Sequence, residues 1–349
     1  LLPKERVEAA FRLEEPDRVP VQTLGSTAQY VLSEVNIDYA MDKADLIAKV
    51  IVNWQKTFKD DIIYAMTPGQ LSAFWRTMKC EVKKLSTGWF DIIKPGVKNL
   101  EELERLDFEK VKKALLKSSL ITASIKAIRF LSERFGQEYL VETTFECGFT
   151  GAGRVLGTGR EMMLLHKDPE FVRRLSDFMN KLTIEVIREF VNVGANMIFI
   201  PDPNASTALI SPKHYEMFAF PYEKELIKEI KKLGAITMLH ICGNCTPILD
   251  KIVETGTDCY SFDHMVDIAE AKKRIGNKIA LAGNINPVIL LMGTPEQVTE
   301  LSKDCIRKAA PGGGFMLMPG CSTAANTPTA NFHALVNAAK TYGKYPINP

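Results

Sequence analysis

Eight short apolar runs recur along the chain, and their alternation with helical stretches constrains the fold more than any other feature. They are residues 18–25 (RVPVQTLG), 61–67 (DIIYAMT), 138–145 (EYLVETTF), 195–202 (ANMIFIPD), 235–242 (AITMLHIC), 259–264 (CYSFDH), 278–285 (KIALAGNI) and 313–321 (GGFMLMPGC). The segments between the later runs carry apolar residues at helical spacing. Residues 169–193 read as a helix with Pro169 near its start and Gly194 just past its end. Residues 212–233 read likewise, with Ser211 as N-cap and Gly234 as stop. Further helices are expected over 246–255, 267–275 and 294–309. Runs apolar on both faces, each followed by a helix, imply parallel strands buried on both sides. Eight such units imply an α/β fold closed as a (β/α)8 barrel rather than an open doubly wound sheet.

The alternation is cleanest after residue 138. Residues 68–137, between the second and third runs, hold a β-excursion near 80–93 and two polar helices. They read as an insertion on one barrel domain spanning 1–349, and residues 1–17 as an N-terminal helix ending before Pro16. A chain of 349 residues suits one such barrel. The net charge of +2 gives no electrostatic case for nucleic acid. No apolar run approaches the roughly 18 residues that cross a bilayer. Lys4, Glu5 and Arg6 follow the first residues at once, unlike a signal peptide. Seven cysteines, an odd and scattered set, fit a reducing cytoplasm better than a secreted disulfide framework.

The later runs end in residues that can do chemistry: His240-Ile-Cys242, Asp263-His264, Asn284 with Asn286, and Cys321. In a parallel barrel those ends converge on one face, where active sites are built. Side chains two apart on a strand point the same way, so His240 and Cys242 can share a metal, and Cys321 can reach the same mouth. Two thiolates and an imidazole favour Zn²⁺, and three protein ligands leave one position open for catalysis. Asp263 stands where a carboxylate could fill that position, and Asp202, after the fourth run, is a further candidate for binding. The residues alone leave other readings open. A cysteine ending an apolar run is commonly a buried small hydrophobe. Cys242-Gly-Asn-Cys245 also has the spacing of a redox pair or half a structural zinc site. The glycine-rich stretch Cys147–Arg160 suggests either an anion cradle or a flexible loop over the mouth. His166, His214 and His333 fall in helical stretches and read as structural.

Leu239-His-Ile-Cys-Gly-Asn244, Leu281-Ala-Gly-Asn-Ile285, and Met318-Pro-Gly-Cys321 with Asn326-Thr-Pro328 resemble the uroporphyrinogen decarboxylase superfamily. More narrowly they resemble its zinc-dependent branch, the methylcobamide:coenzyme M methyltransferases of methylotrophic methanogens. The likeness extends to Arg18–Pro20, Gly148–Glu170 and Asp202–Ser211, nearly the whole chain. It implies Zn²⁺ on His240, Cys242 and Cys321, activating a thiol that takes a methyl group from a methyl-Co(III) corrinoid. It implies that Asp263, matching an acidic residue of the family, occupies the resting metal as a catalytic residue, although the family position is expected to carry Glu. Asp202 and Asn284 are the expected cofactor-binding positions. No Asp-x-His-x-x-Gly signature for base-off cobalamin is present, so the corrinoid is expected on a partner protein that docks at the mouth. Coenzyme M is the leading acceptor, with Arg154 and Arg160 as candidates for its sulfonate. A different acceptor or a donor-side demethylase role is the alternative. Porphyrinogen decarboxylation is disfavoured because Pro20–Gly25 lacks the arginines that reaction needs.

Overall fold

A computed structural model describes residues 1–84 and 90–347. Seven strands form one parallel sheet: β1 (Ile62–Tyr64), β4 (Leu140–Thr144), β5 (Met197–Pro201), β6 (Ile236–Ile241), β7 (Cys259–Phe262), β8 (Ala280–Ile285) and β9 (Phe315–Pro319), paired in that order. They coincide with the second to eighth apolar runs. The first run is not a regular strand, yet it closes the ring. Leu317 donates its amide to Pro20, Gln22 donates back to Leu317, and on the other side Asp61 donates to Val21. Proline at positions 16 and 20 removes donors from this segment, so it pairs through isolated bonds rather than a ladder.

The strands alternate as period-2 geometry demands. Ile62, Leu140, Met197 and Ile236 fill the lower interior of the barrel. Tyr64, Phe199 and Met238 lie one step higher, and His240 continues that inward phase to the top. The opposite faces, such as Val141, Ile198 and Leu239, pack against the outer helices. The N-terminal helix, Pro3–Phe11, puts Val7 into the interior cluster and closes the bottom. It ends sooner than its sequence suggested, because Leu13 takes a left-handed conformation.

Helices Pro169–Asn192, Ile268–Ile275 and Pro295–Ala309 match their expected spans, with Asp168, Asp267 and Thr294 side chains capping their first turns. The expected helix over 212–233 forms without interruption, with a π-segment at Tyr215–Ala219 between Pro212–His214 and Phe220–Lys232. Ser211 caps it as anticipated. Between β1 and β4 lie helices Pro68–Thr77, Leu100–Glu104, Phe108–Leu116 and Ser119–Phe135, and a hairpin of β2 (Glu81–Lys84) and β3 (Phe90–Lys94). The middle of the expected β-excursion, residues 85–89, lies outside the described residues. Helix Ser119–Phe135 buries Ile121, Ala127, Ile128 and Leu131 in the main core.

The glycine-rich stretch is not a loose loop. It forms helices Gly148–Leu156 and Thr158–Lys167, broken at Gly157 with φ +85°. A Cβ on Gly148 would sit 2.4 Å from the Ser176 carbonyl oxygen, and one on Gly153 would strike Asn204 and Glu161. These glycines are small so that the first helix can lie directly on helix Pro169–Asn192 and the loop after β5.

Candidate metal centre

Three donors meet at the barrel mouth. His240 ends the inward-facing row of β6, Cys242 follows two residues later, and Cys321 follows β9. Among the described residues, these three are the one group of His, Cys, Asp and Glu side chains whose donor atoms close to within 4.8 Å of one another. Cys242 Sγ lies 3.4 Å from His240 Nε2 and 3.7 Å from Cys321 Sγ. A tetrahedral Zn²⁺ with bonds of about 2.3 Å to sulfur and 2.05 Å to nitrogen separates two sulfurs by ~3.8 Å and sulfur from nitrogen by ~3.6 Å. The donor set is therefore already spaced for that ion. The two thiols are electrostatically linked. Cys321 is lowered to about 4 by the hydrogen bond from Cys242, with His240 adding to the effect. Cys242 is pushed far up as the donor of that bond and by burial.

The neighbourhood fixes each donor. His240 Nδ1 lies 3.1 Å from the Ser261 carbonyl oxygen on the neighbouring strand β7. A proton on Nδ1 donates there and leaves the Nε2 lone pair toward the sulfurs. Asp263 does not join the donor group. Its carboxylate accepts from the Gly243 and Met265 amides and lies 2.6 Å from His264 Nδ1, pinning the turn that follows Cys242. Gly320 lets Cys321 approach, because a Cβ there would lie 2.6 Å from the His264 amide nitrogen. Cys245 is buried with its thiol turned back toward the Ile241 and Cys242 carbonyls, outside the donor group. That geometry removes both the redox-pair and structural-site readings of the Cys-x-x-Cys spacing. All seven cysteines are free thiols.

The two expected binding positions lie elsewhere. Asp202 is fully buried, accepting from the Thr150 hydroxyl, and its carboxyl is raised by burial. Asn284 donates to the Asp263 and Val266 carbonyls and braces the β7 loop. Neither lines the cavity that reaches the donors.

That cavity, about 320 Å³, runs from His240, Cys242 and Cys321 across the mouth beneath the loops after the first run and β1. Its lining is largely apolar, including Ile37, Met41, Met66, Leu71 and Trp75, with Asp38 and Gln70 among them. Arg154 enters the wall from helix Gly148–Leu156 and is gripped by Glu146, Nη2 to Oε1 at 2.7 Å and Nε to both oxygens at 3.0 and 3.2 Å. Glu146 was missed in the sequence, since nothing in its spacing marks it. Arg160 is not in the wall; it donates to the Lys98 carbonyl.

The model of the uroporphyrinogen decarboxylase family matches residues 2–342. The chain is 32% identical over 345 residues to the methylcobamide:CoM methyltransferase MtbA of Methanosarcina acetivorans, covering 97% of this chain and 98% of that one. Similarity to a uroporphyrinogen decarboxylase of Synechococcus, at 32%, covers only 51% of this chain and 49% of the other. Among solved structures, a methyltransferase from Methanosarcina mazei superposes with a TM-score of 0.85 at 25% identity, covering 97% and 98% of the two chains.

Proposed function

The chain belongs to the uroporphyrinogen decarboxylase family, and from that premise we propose that it is a zinc-dependent methyltransferase moving a methyl group from a methyl-Co(III) corrinoid protein to a thiol. The observation that carries this reading is the spacing of His240, Cys242 and Cys321, three donors that line the cavity and would hold a tetrahedral Zn²⁺. Zn²⁺ held there would lower the pKa of an acceptor thiol, so that its sulfur is available as thiolate near neutral pH. A free alkyl thiol at that pH is mostly protonated and a poor nucleophile.

The protein's own part is positioning. Ser261 orients the His240 ring, Asp263 holds the turn beyond Cys242, and Gly320 admits Cys321. The cavity takes the body of the thiol and presents its sulfur at the mouth. The sulfur lone pair attacks the methyl carbon of the corrinoid. The carbon–cobalt bond breaks with its electron pair on cobalt, which leaves as Co(I), and the thiol proton goes to solvent. The carrier protein must then cap the mouth, and exposed apolar side chains follow its strands: Leu209 after β5, Met265 after β7, and Val288 and Met292 in the short helix Pro287–Met292 after β8. No helix among the described residues is long and apolar enough to cross a membrane, and free thiols throughout suit a reducing cytoplasm.

Coenzyme M is the acceptor in the names of the relatives and the first to assay. Porphyrinogen decarboxylation is poorly supported, since one arginine lines the cavity among the described residues and Glu146 already holds it. The test is zinc content and turnover together. Wild type should bind one equivalent of zinc and convert methylcobalamin and coenzyme M to the Co(I) corrinoid and S-methylated coenzyme M. Cys242→Ala and Cys321→Ala should lose both. Stoichiometric zinc retained by both variants would overturn the reading.

A further inference from the structure

We infer that a basic groove on the flank of the barrel receives an acidic amphipathic helix of another protein. The groove lies between helix Ala44–Phe58, which precedes β1, and helix Ser119–Phe135, which precedes β4, and holds about 670 Å³. It is separate from the cavity that reaches the metal donors, and no residue lines both.

Helical periodicity builds its floor and its banks. Residues four apart share one side of a helix, so Ala44, Ala48 and Val52 make a narrow apolar floor on the first helix. Lys49 and Lys56 edge that helix, while Lys126, Phe130 and Arg134 line the second at the same four-residue spacing. Lys49 and Lys56 are separated by ~10 Å along the helix axis, and Lys126 and Arg134 by ~12 Å. The cations therefore form two short rows rather than one point.

All four are exposed, and none forms an ion pair among the described residues. Arg134 leans on the Phe135 ring instead. Elsewhere on the surface, basic side chains meet a carboxylate on their own helix, as Lys181 meets Asp177 and Lys308 meets Asp304. Among the described residues lining the groove, Asp45 is the one acid. Lys56 and Arg134 stand in the last turns of their helices, where the helix dipole favours positive charge and offsets part of the repulsion.

The occupant follows from the two chemistries together. A compact anion would meet one or two cations and gain nothing from an apolar floor. A carboxylate-rich chain without apolar groups would leave that floor and Phe130, 46% exposed, in water. A helix with an apolar stripe flanked by glutamates seats the stripe on Ala48 and Val52 and sets carboxylates against both rows. The acidic helix faces of this chain already carry their own cations, as Glu300 does with Lys303 and Asp304 with Arg307. Another protein, rather than a second copy, is therefore the partner.

The test uses the full chain and a fluorescein-labelled peptide of about 14 residues, ~21 Å as a helix. Its leucines recur every third or fourth position, with glutamates on both sides. A scrambled peptide of equal composition keeps the charge and removes the stripe. Fluorescence anisotropy should show wild type binding the amphipathic peptide about tenfold or more tighter than the scrambled one. Lys49→Glu combined with Lys126→Glu should weaken that binding by about tenfold or more. Lys113→Glu combined with Lys228→Glu changes the net charge equally at exposed sites outside the groove, and should bind as wild type does. No binding by wild type, equal affinity for the two peptides, or equal effects of the two double variants overturns the inference. Circular dichroism establishes that the variants fold, and the comparison of peptides on wild type decides without them if they do not.

Discussion

Replacing Gly320 by alanine should weaken zinc binding at the centre without touching a ligand. The added Cβ would sit 2.6 Å from the His264 amide nitrogen and 3.2 Å from the Asp263 carbonyl carbon, both backbone atoms that cannot rotate away. Ordinary contact begins near 3.4 Å, so the β9 end must retreat by about 0.8 Å, and the overpacking costs ~1–3 kcal/mol. Cys321 is the next residue and moves with it. Zinc–ligand distances tolerate only ~0.2 Å, so a displacement several times larger should weaken zinc binding by roughly 10–100-fold, or ~1.4–2.7 kcal/mol. The assay is equilibrium competition against a chromogenic chelator at fixed pH, with circular dichroism to establish folding. Gly159→Ala serves as control: it lies in helix Thr158–Lys167 with nothing within 4 Å of its added Cβ. That variant should bind zinc normally and gain ~0.5–1 kcal/mol of stability. Folded Gly320→Ala protein with zinc affinity within about twofold of wild type would refute the reasoning.

Asp263→Ala should weaken zinc binding about tenfold without abolishing it, because the carboxylate holds the Gly243 amide rather than the metal; the same chelator competition measures it, and complete loss would make Asp263 a ligand after all. Burial raises Glu142, inside the barrel, to about 8, with the hydrogen bond from Gln22 opposing. Its folded pKa exceeds the unfolded value near 4.3, so its stabilisation is full below that value and is lost as pH rises toward 8. Glu142→Gln should therefore match wild type near pH 4.5 and exceed its Tm by roughly 2 °C or more at pH 9; a gap independent of pH would remove Glu142 as the cause. Acidification from pH 7 to 5 should release zinc, since protons compete for the thiolates and imidazole, and dialysis with metal analysis would detect retention that contradicts this.

The barrel was legible because parallel strands buried on both faces leave continuous apolar runs, and seven of the eight runs became strands. The eighth place in the ring was legible as an apolar run but not as an irregular one, since its bonding depends on Leu317 and Asp61, far away in sequence. His240 and Cys242 could be read from a two-residue spacing, and Cys321 from its place at a strand end. Asp202 and Asn284 also stand at strand ends, but backbone pairing does not reveal which way a side chain turns beyond the last ladder bond. Both turn into packing. The cavity wall was the least visible. Ile37, Met41, Leu71 and Trp75 come from helices and loops between strands, where apolar residues serve core and chamber alike. The helical fate of residues 148–156 was hidden too, because glycines disfavour an isolated helix, and only close packing on helix Pro169–Asn192 reverses that preference.

The irregular segment that closes the ring also sets a timetable for the growing chain. Its partners on one side come long after it: the Thr323 hydroxyl that bonds the Leu24 carbonyl lies 299 residues further on. Without β9, the sheet lacks the strand that joins it to the first run, and the β8 edge is left open to other chains. The same late step delivers Cys321, so the hoop is fastened and the third metal donor arrives in one event. A chain halted before residue 315 has neither a closed barrel nor a complete donor set.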